Sequence, residues 1–140
     1  MIDGGLRPIF RQHLRAGWHW QSVETGLIGG GVPDSNYCVG GREGWVEYKR
    51  ASANAVGLRP AQVAWLDRRG RAGGRVTIAV RRVRRARARS APCDELWLLE
   101  GAKAVRVAEL GLAASDAVLL RCDGGPAHWD WEQVEVVLMR

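Results

Sequence analysis

The stretch GVPDSNYCVGGREGWVEYK at residues 31–49 constrains the fold of this chain more than any other part of the sequence. Two runs of strand-forming residues, 36–39 and 45–50, flank the short segment GGREG, an arrangement that strongly favours a β-hairpin. Because side chains two residues apart in a strand point the same way, Glu47 and Lys49 share one face of the second strand. The pattern therefore predicts a hairpin that presents an acid and a lysine together.

The register of this hairpin decides whether Asp34 joins the pair. If residues 41–42 form a two-residue turn, Asp34 lies opposite Lys49, and Glu47 sits diagonally at about 7–8 Å, within reach of a common ion. A four-residue turn at 40–43 keeps the same face, whereas a slip of one residue would send Asp34 to the other face. We therefore expect the three side chains to meet on one face of the hairpin.

Two carboxylates beside a lysine suit chemistry on a phosphodiester. With a backbone carbonyl and waters, Asp34 and Glu47 would provide part of the oxygen shell that Mg²⁺ (or Mn²⁺) takes in proteins. Such an ion activates water and polarises a phosphoryl oxygen, and Lys49 could position the water or stabilise the developing charge. The alternative is structural: Asp34 caps a turn after Pro33, and the other two residues form an ordinary solvated strand face.

Lysine is scarce in this chain, which gives position 49 added weight. Lys49 and Lys103 are the two lysines, against nineteen arginines. A guanidinium is a planar fork of donors, whereas an ammonium is a compact charge with an adjustable pKa. The lysine at position 49 therefore indicates a site that requires an ammonium.

These residues resemble the PD-(D/E)XK nuclease superfamily. The resemblance is carried by PD at 33–34 and EYK at 47–49. The segment LRPAQVAW at 58–65 adds Gln62 in the Q-x-x-aromatic context that members often have on a helix facing the site. The chain is similar, over residues 20–80, to small phage and prophage nucleases of the virus-type replication-repair (VRR-NUC) branch and to Holliday-junction resolvases.

The resemblance implies a single-domain α/β fold of the restriction-endonuclease type, with a mixed central sheet flanked by helices. It implies the activity of a Mg²⁺-dependent DNA endonuclease, with Asp34 and Glu47 as metal ligands, Lys49 as the catalytic lysine and Gln62 as a supporting residue. Family members often add an acid from the N-terminal region. Glu24, just ahead of a glycine-rich loop, is the candidate for this third metal ligand and catalytic residue, although it could equally be a polar strand end.

The same resemblance implies that branched DNA is a substrate. Resolution of a four-way junction needs two symmetric active sites, so this activity would require a homodimer. Two alternatives stay open. One is a nuclease that acts on generic duplexes, nicks or ends, and the other is a DNA-binding module that has the fold without catalysis.

The net charge of +6 is concentrated in one segment. Residues 81–89 contain six arginines and no acid, and the rest of the chain has 15 basic and 15 acidic residues. We expect an extended arginine-rich loop or ribbon over 81–90 that contacts a polyanion, here DNA. A solvated loop, RNA or an acidic protein are the alternatives. The predicted DNA-binding residues are Arg81, Arg82, Arg84, Arg85, Arg87 and Arg89.

Length and composition set the remaining expectations. A chain of 140 residues is one domain, in which residues 91–140 add strands and helices outside the motif. Three scattered cysteines and the absence of a signal-peptide pattern predict a cytoplasmic protein, and the resemblance to phage and prophage nucleases implies a bacterial or phage-infected host cell. No apolar run approaches the ~20 residues of a spanning helix. The glycines at 26–31 lack the lysine and hydroxyl of a phosphate-binding loop, so we expect no nucleotide cofactor.

Periodicity and capping residues predict the other elements. Strands are expected at 19–24, 76–80, 95–99 and 118–122. Helices are expected at 8–15, 60–69 and 102–110, with a last helix capped by Asp130 and reaching 138.

Overall fold

The computed structural model describes residues 2–24 and 30–140, and its central feature is a six-stranded mixed sheet. The strands lie side by side in the order in which they follow along the chain. They are β1 (His19–Ser22), β2 (Ser35–Val39), β3 (Arg42–Ala51), β4 (Val76–Arg84), β5 (Cys93–Glu100) and β6 (Val118–Cys122). The helices are α1 (Leu6–His13), α2 (Pro60–Arg71), α3 (Ala104–Leu110) and α4 (Trp131–Met139). The expected α/β fold is confirmed.

Strands β3 and β4 form the parallel pair, and the other neighbouring pairs are antiparallel. Helix α2 makes the crossover that a parallel pair requires. Glu47 pairs with Ile78 and Ala51 pairs with Arg82, so both strands run toward the same end of the sheet. We call this end, where β3 stops and β4 continues, the carboxyl end of the sheet.

Hydrophobic cores on both faces of the sheet hold the helices in place. On one face, Leu6 and Phe10 of α1 pack with α4 against Val46 and Tyr48 of β3. On the other face, Leu66 of α2 packs with α3 against β4 and β5. Burying each such side chain contributes about 1.5–3 kcal/mol. As a result α1 and α2 are fixed on opposite faces of β3, and both begin near its carboxyl end.

The turn of the β2–β3 hairpin lies one residue earlier than predicted. Val39 pairs with Arg42, so the two-residue turn is 40–41 and not 41–42. Both turn residues are glycines with positive φ, 56° and 76°. A type I′ turn requires positive φ at both central positions, and this turn is the one that uses both glycines. Moving the turn by one residue shifts the pairing between the two strands by two residues. An even shift leaves every side chain on its predicted face.

The predicted arginine-rich loop over 81–90 is wrong for its first part, because β4 continues through four of these residues. Cross-strand acids account for the difference. Arg81 forms an ion pair with Asp94 at 2.7 Å, and Arg82 forms one with Glu95 at 2.8 Å. These pairs relieve the repulsion that would otherwise keep such a run out of a sheet.

The other boundaries differ less. Helix α2 continues through Gly70 and does not end there as predicted. A Cβ atom at this position would lie 2.6 Å from Ala102, so the glycine permits close packing between the two segments. Helix α1 is displaced by two residues toward the N-terminus, and β1 is two residues shorter than predicted. Asp130 caps α4 as predicted by accepting a hydrogen bond from the amide of Gln133. Within residues 2–24 and 30–140, no helix combines the length and apolarity needed to cross a membrane.

Candidate functional site

A cleft opens at the carboxyl end of the sheet, between the first turns of α1 and α2. Its volume is about 630 Å³. Arg7 of α1 and Arg59, which precedes α2, lie on its two sides. The structure also brings four of the five predicted site residues into this cleft: Asp34, Glu47, Lys49 and Gln62.

Asp34 is held in the cleft by backbone and side-chain hydrogen bonds. Its carbonyl accepts a hydrogen bond from the amide of Val23 at 2.8 Å. Its Oδ2 atom accepts one from the amide of Tyr48 at 2.9 Å. The carboxylate is therefore fixed to the strand that carries the other site residues.

The observed register changes the neighbour of Asp34. Ser35 pairs with Val46, and extending this register by one residue places Asp34 opposite Glu47. The sequence predicted Lys49 at that position, and this is corrected because the turn lies one residue earlier. The two carboxylates are consequently direct cross-strand neighbours.

Glu47 is almost fully buried beside this second carboxylate, with 2% of its surface exposed. Burial and then the negative charge of Asp34 raise the pKa of Glu47 from 4.5 to about 8, although Lys49 and Arg59 act in the opposite direction. Without a cation, Glu47 therefore carries a proton at neutral pH. Close like charges in a desolvated site produce this effect.

Gln62 connects the two strand residues that share the buried face. Its Oε1 atom accepts hydrogen bonds from Lys49 Nζ and from the amide of Arg59, both at 2.9 Å. Its Nε2 atom lies 3.2 Å and 3.4 Å from the two carboxylate oxygens of Glu47. Gln62 thereby orients an acid and an ammonium with one amide while it caps the first turn of α2.

A close backbone contact fixes the start of α2, and with it Gln62. Gly31 has a φ of 80°, and a Cβ atom at this position would lie 2.0 Å from the carbonyl oxygen of Ala61. Only glycine permits both the conformation and the approach. Pro60 begins the helix, and Leu66 anchors it in the core.

Arg7 is a site residue that the sequence analysis missed. Its guanidinium lies 3.7 Å from Asp34 Oδ1 and 3.9 Å from Glu24 Oε1. The buried side chains of Leu6 and Phe10 on the same helix hold it there. No spacing pattern in the sequence predicts that Arg7 belongs to the site, because α1 reaches the cleft only by packing against the other face of β3.

Glu24, the fifth predicted site residue, is not brought to the two carboxylates. Its side chain is 87% exposed and is separated from Asp34 by Arg7. Among residues 2–24 and 30–140, no group of three or more His, Cys, Asp or Glu side chains is placed to hold a metal ion. Asp3 also lines the cleft, but its Oδ1 atom accepts a hydrogen bond from the amide of Gly5 at 2.9 Å and the residue is not grouped with the other two acids of the cleft. Asp34 and Glu47 are therefore the carboxylates that lie together, and Glu24 as a third ligand stays a prediction.

The donor set nonetheless suits a hard divalent cation. Asp34 and Glu47 provide oxygen atoms, which Mg²⁺ and Mn²⁺ prefer, and Mg²⁺ commonly binds one or two carboxylates together with waters. A cation beside both carboxylates would also remove the repulsion that keeps Glu47 protonated. These two residues would hold the ion.

The six predicted DNA-binding arginines fall into two groups. Arg81 and Arg82 are partly buried, and each makes two hydrogen bonds to a cross-strand carboxylate, Asp94 and Glu95 respectively. Because the guanidinium groups of these two residues are already bound to carboxylates within the protein, we restrict the DNA-binding prediction to the other four arginines. Those four are exposed: Arg84, Arg85, Arg87 and Arg89.

Comparison of the chain with protein-family models, with curated proteins and with solved structures finds no match. The likeness to the PD-(D/E)XK nucleases therefore rests on the residues named above and on their geometry.

Proposed function

We propose that this protein is a metal-dependent nuclease that hydrolyses phosphodiester bonds in DNA. One observation carries the proposal: Gln62 joins Glu47 and Lys49 through one amide, and Asp34 lies beside them in an open cleft. A solvated strand face would not bury a glutamate next to an aspartate, since burying both charges costs free energy unless a proton or a cation compensates. The arrangement is suited to binding a cation and a phosphate.

In this proposal each residue has a distinct task. Asp34 and Glu47 would hold Mg²⁺ or Mn²⁺, and the ion would supply positive charge to polarise a phosphoryl oxygen and to lower the pKa of a water. Gln62 keeps the Lys49 ammonium beside the carboxylates, where it stabilises the negative charge that develops on the phosphate. Glu24 would join the ligands only after its pairing with Arg7 breaks.

DNA is the proposed substrate because four exposed arginines extend from the same end of the sheet as the cleft. Branched DNA follows from the family resemblance, and cleavage of a four-way junction would require a homodimer. We also propose that the protein acts in the cytoplasm. Linear duplexes, nicks and ends are the other substrates to compare.

Cleavage of a labelled four-way junction and of a linear duplex of matched sequence tests the proposal, with Mg²⁺, with Mn²⁺ and with EDTA. We expect metal-dependent cleavage that Asp34→Asn and Glu47→Gln abolish while DNA binding in EDTA persists. Glu43→Gln is the matched control, because Glu43 is exposed at the opposite end of β3. Symmetric cleavage of the junction alone would indicate a resolvase, and cleavage of both substrates a general nuclease.

The second candidate is a DNA-binding module without catalysis. Two observations favour it: among the described residues no third His, Cys, Asp or Glu side chain joins Asp34 and Glu47 in a metal-binding group, and a guanidinium already lies beside Asp34. Binding of DNA by the wild type without cleavage under either metal would select this alternative.

A further inference from the structure

The β4–β5 hairpin continues beyond the sheet as a two-stranded ribbon, residues 84–92, which we call the arginine ribbon. Arg84 pairs with Cys93, and farther out Arg87 and Ser90 exchange two backbone hydrogen bonds of 3.0 Å and 3.2 Å. Both pairs obey the same register, although residues 85–86 and 91–92 between them belong to no strand. The isolated pair of Arg87 and Ser90 closes a two-residue turn at 88–89.

The ribbon projects from the sheet without neighbouring strands. On the β4 side, β3 ends at Ala51, which pairs with Arg82. On the β5 side, the last paired residue of β6 is Cys122, opposite Leu96. Both edges of the arginine ribbon are therefore free of strand partners in the described part of the chain.

Ion pairs fix the base of the ribbon. Arg81 binds both carboxylate oxygens of Asp94 at 2.8 Å and 2.7 Å. On the opposite face, Arg82 binds both oxygens of Glu95 at 2.8 Å and 3.1 Å. Such paired forks restrain direction as well as distance, so the ribbon leaves the sheet in a defined direction.

Unlike its ion-paired base, the ribbon itself has four exposed arginines and no acid. None of these four forms a salt bridge with an acid of residues 2–24 or 30–140. Small residues stand between them, and the sequence RRARARSAP has alanine or serine at four of its nine positions. A narrow ribbon with dense positive charge that is unpaired among the described residues is suited to bind a polyanion of matching shape.

The ribbon and the cleft lie at the same end of the sheet. Glu47 pairs with Ile78, and Arg84 to Arg87 lie six to nine residues farther along the chain, at the end of β4 and just beyond it. At about 3.3 Å per residue the arginines stand roughly 20–30 Å beyond the carboxylates. Along a DNA axis parallel to the ribbon, B-form DNA rises 3.4 Å per base pair, so this reach corresponds to about 6–9 base pairs.

We propose that the arginine ribbon enters the major groove of B-form duplex DNA and binds the phosphates that flank it, about 6–9 base pairs to one side of the phosphodiester in the cleft. The major groove admits a two-stranded β-ribbon, whereas the deep, narrow major groove of A-form RNA does not. The distance to the cleft rests on the proposed nuclease function. Duplex binding by the ribbon does not depend on catalysis.

The test measures binding to a duplex of about two helical turns in EDTA, as a function of NaCl concentration. The four ribbon arginines, Arg84, Arg85, Arg87 and Arg89, are replaced by alanine. We expect the slope of log K against log salt to become shallower by about 3–4, since each lost phosphate contact removes about 0.9. The matched control replaces four exposed arginines at the opposite end of the molecule and should keep the wild-type slope: Arg15, Arg42, Arg68 and Arg71.

The outcomes separate this inference from the proposed function. An unchanged slope in the ribbon variant, or equal loss in the control, would overturn the inference, and so would equally tight binding of single-stranded DNA or of an RNA duplex. A double variant, Arg85→Glu with Arg89→Glu, changes the net charge by the same four units and should weaken duplex binding to a similar degree. Because it keeps Arg84 and Arg87, whose backbones are paired, it guards against a folding artefact in the alanine variant. Duplex binding that depends on the ribbon, without cleavage under either metal, would support this inference and would rule out the proposed nuclease activity.

Duplex length then tests the distance. Once the cleavage position is mapped, the flank on either side is shortened in single base-pair steps. We expect the wild type to lose activity when one flank falls below about 6–9 base pairs, and the ribbon variant to show no such step. A wild type that cleaves equally with short flanks on both sides would overturn the proposed placement.

Discussion

Gln62 receives a hydrogen bond from Lys49, with 2.9 Å between Oε1 and Nζ. The nitrogen of the same amide lies 3.2 Å from Glu47 Oε1. Gln62→Ala should therefore leave Glu47 and Lys49 unoriented in a desolvated site. We expect cleavage to fall by about 10–100-fold, as for residues that orient ligands, and the free energy of unfolding to fall by about 1–3 kcal/mol.

Single-turnover cleavage and urea unfolding measure the two effects. Gln12→Ala is the matched control, because Gln12 is an exposed glutamine on α1. Wild-type rates for Gln62→Ala would show that the amide does not position the site.

Lys49→Arg keeps the charge but should be poorly active. A guanidinium is longer and planar, and it does not fit the 2.9 Å contact that the ammonium makes with Gln62 beside Glu47. We expect a loss of at least about tenfold in single-turnover rate, equivalent to about 1.4 kcal/mol. Lys103→Arg is the control at the second lysine, which contacts Asp116 far from the cleft. Equal rates for wild type and Lys49→Arg would remove the argument that the site requires an ammonium.

The raised pKa of Glu47 predicts how stability depends on pH in EDTA. The pKa of Glu47 is about 8 in the folded protein and near 4.5 in the unfolded chain. Between pH 4.5 and pH 8 the folded state therefore holds a proton that the unfolded state has released. Stability therefore falls as pH rises through this window and levels off above pH 8. Each pKa unit corresponds to about 1.4 kcal/mol, which gives an effect of a few kcal/mol.

Glu47→Gln should remove most of this dependence, because the amide does not titrate and still fits beside Gln62. Urea unfolding at several pH values, for wild type and variant, provides the comparison. Identical slopes in the two proteins would mean that Glu47 is ionised in the folded state.

The paired and the exposed arginines in the run at 81–89 predict effects on stability of very different size. Burial raises the pKa of Glu95, but hydrogen bonds from Arg82 and Trp97 lower it by more, so the carboxylate stays charged. Arg82→Ala would leave this charge with Arg121 as its remaining guanidinium partner. We expect a loss of about 3 kcal/mol, typical of breaking a buried ion pair.

Arg84→Ala should change the free energy of unfolding by less than about 0.5 kcal/mol, as exposed substitutions do. Thermal and urea unfolding of both variants provide the measurement. Comparable losses in the two variants would mean that the buried pair at the base of the ribbon does not distinguish these arginines.

This contrast also shows what a sequence can and cannot predict. The side chains on each face of β3 follow from alternation alone. For this reason Asp34, Glu47 and Lys49 lie together as predicted, although the turn is one residue earlier than expected. The partners of Arg81 and Arg82 did not follow, because they lie on the next strand and become neighbours only through the β4–β5 register. Arg7 reaches the cleft by helix packing, which leaves no local pattern in the sequence.

The start of α2 offers a last test, because two adjacent glycines differ in their surroundings. A Cβ atom at Gly31 would lie 2.0 Å from the carbonyl oxygen of Ala61, and its φ is 80°, whereas a Cβ atom at Gly30 would meet nothing within 4 Å. Gly31→Ala should lower the free energy of unfolding by at least about 2 kcal/mol. It should also reduce cleavage, because the displaced helix start carries Gln62 away from Glu47.

Gly30→Ala is the matched control and should stay within about 0.5 kcal/mol of the wild type, with normal cleavage. Urea unfolding and single-turnover cleavage of both variants make the comparison. If Gly31→Ala were as stable and as active as Gly30→Ala, the contact between residue 31 and α2 would not position the site, and the orientation of Gln62 would have to come from its own hydrogen bonds.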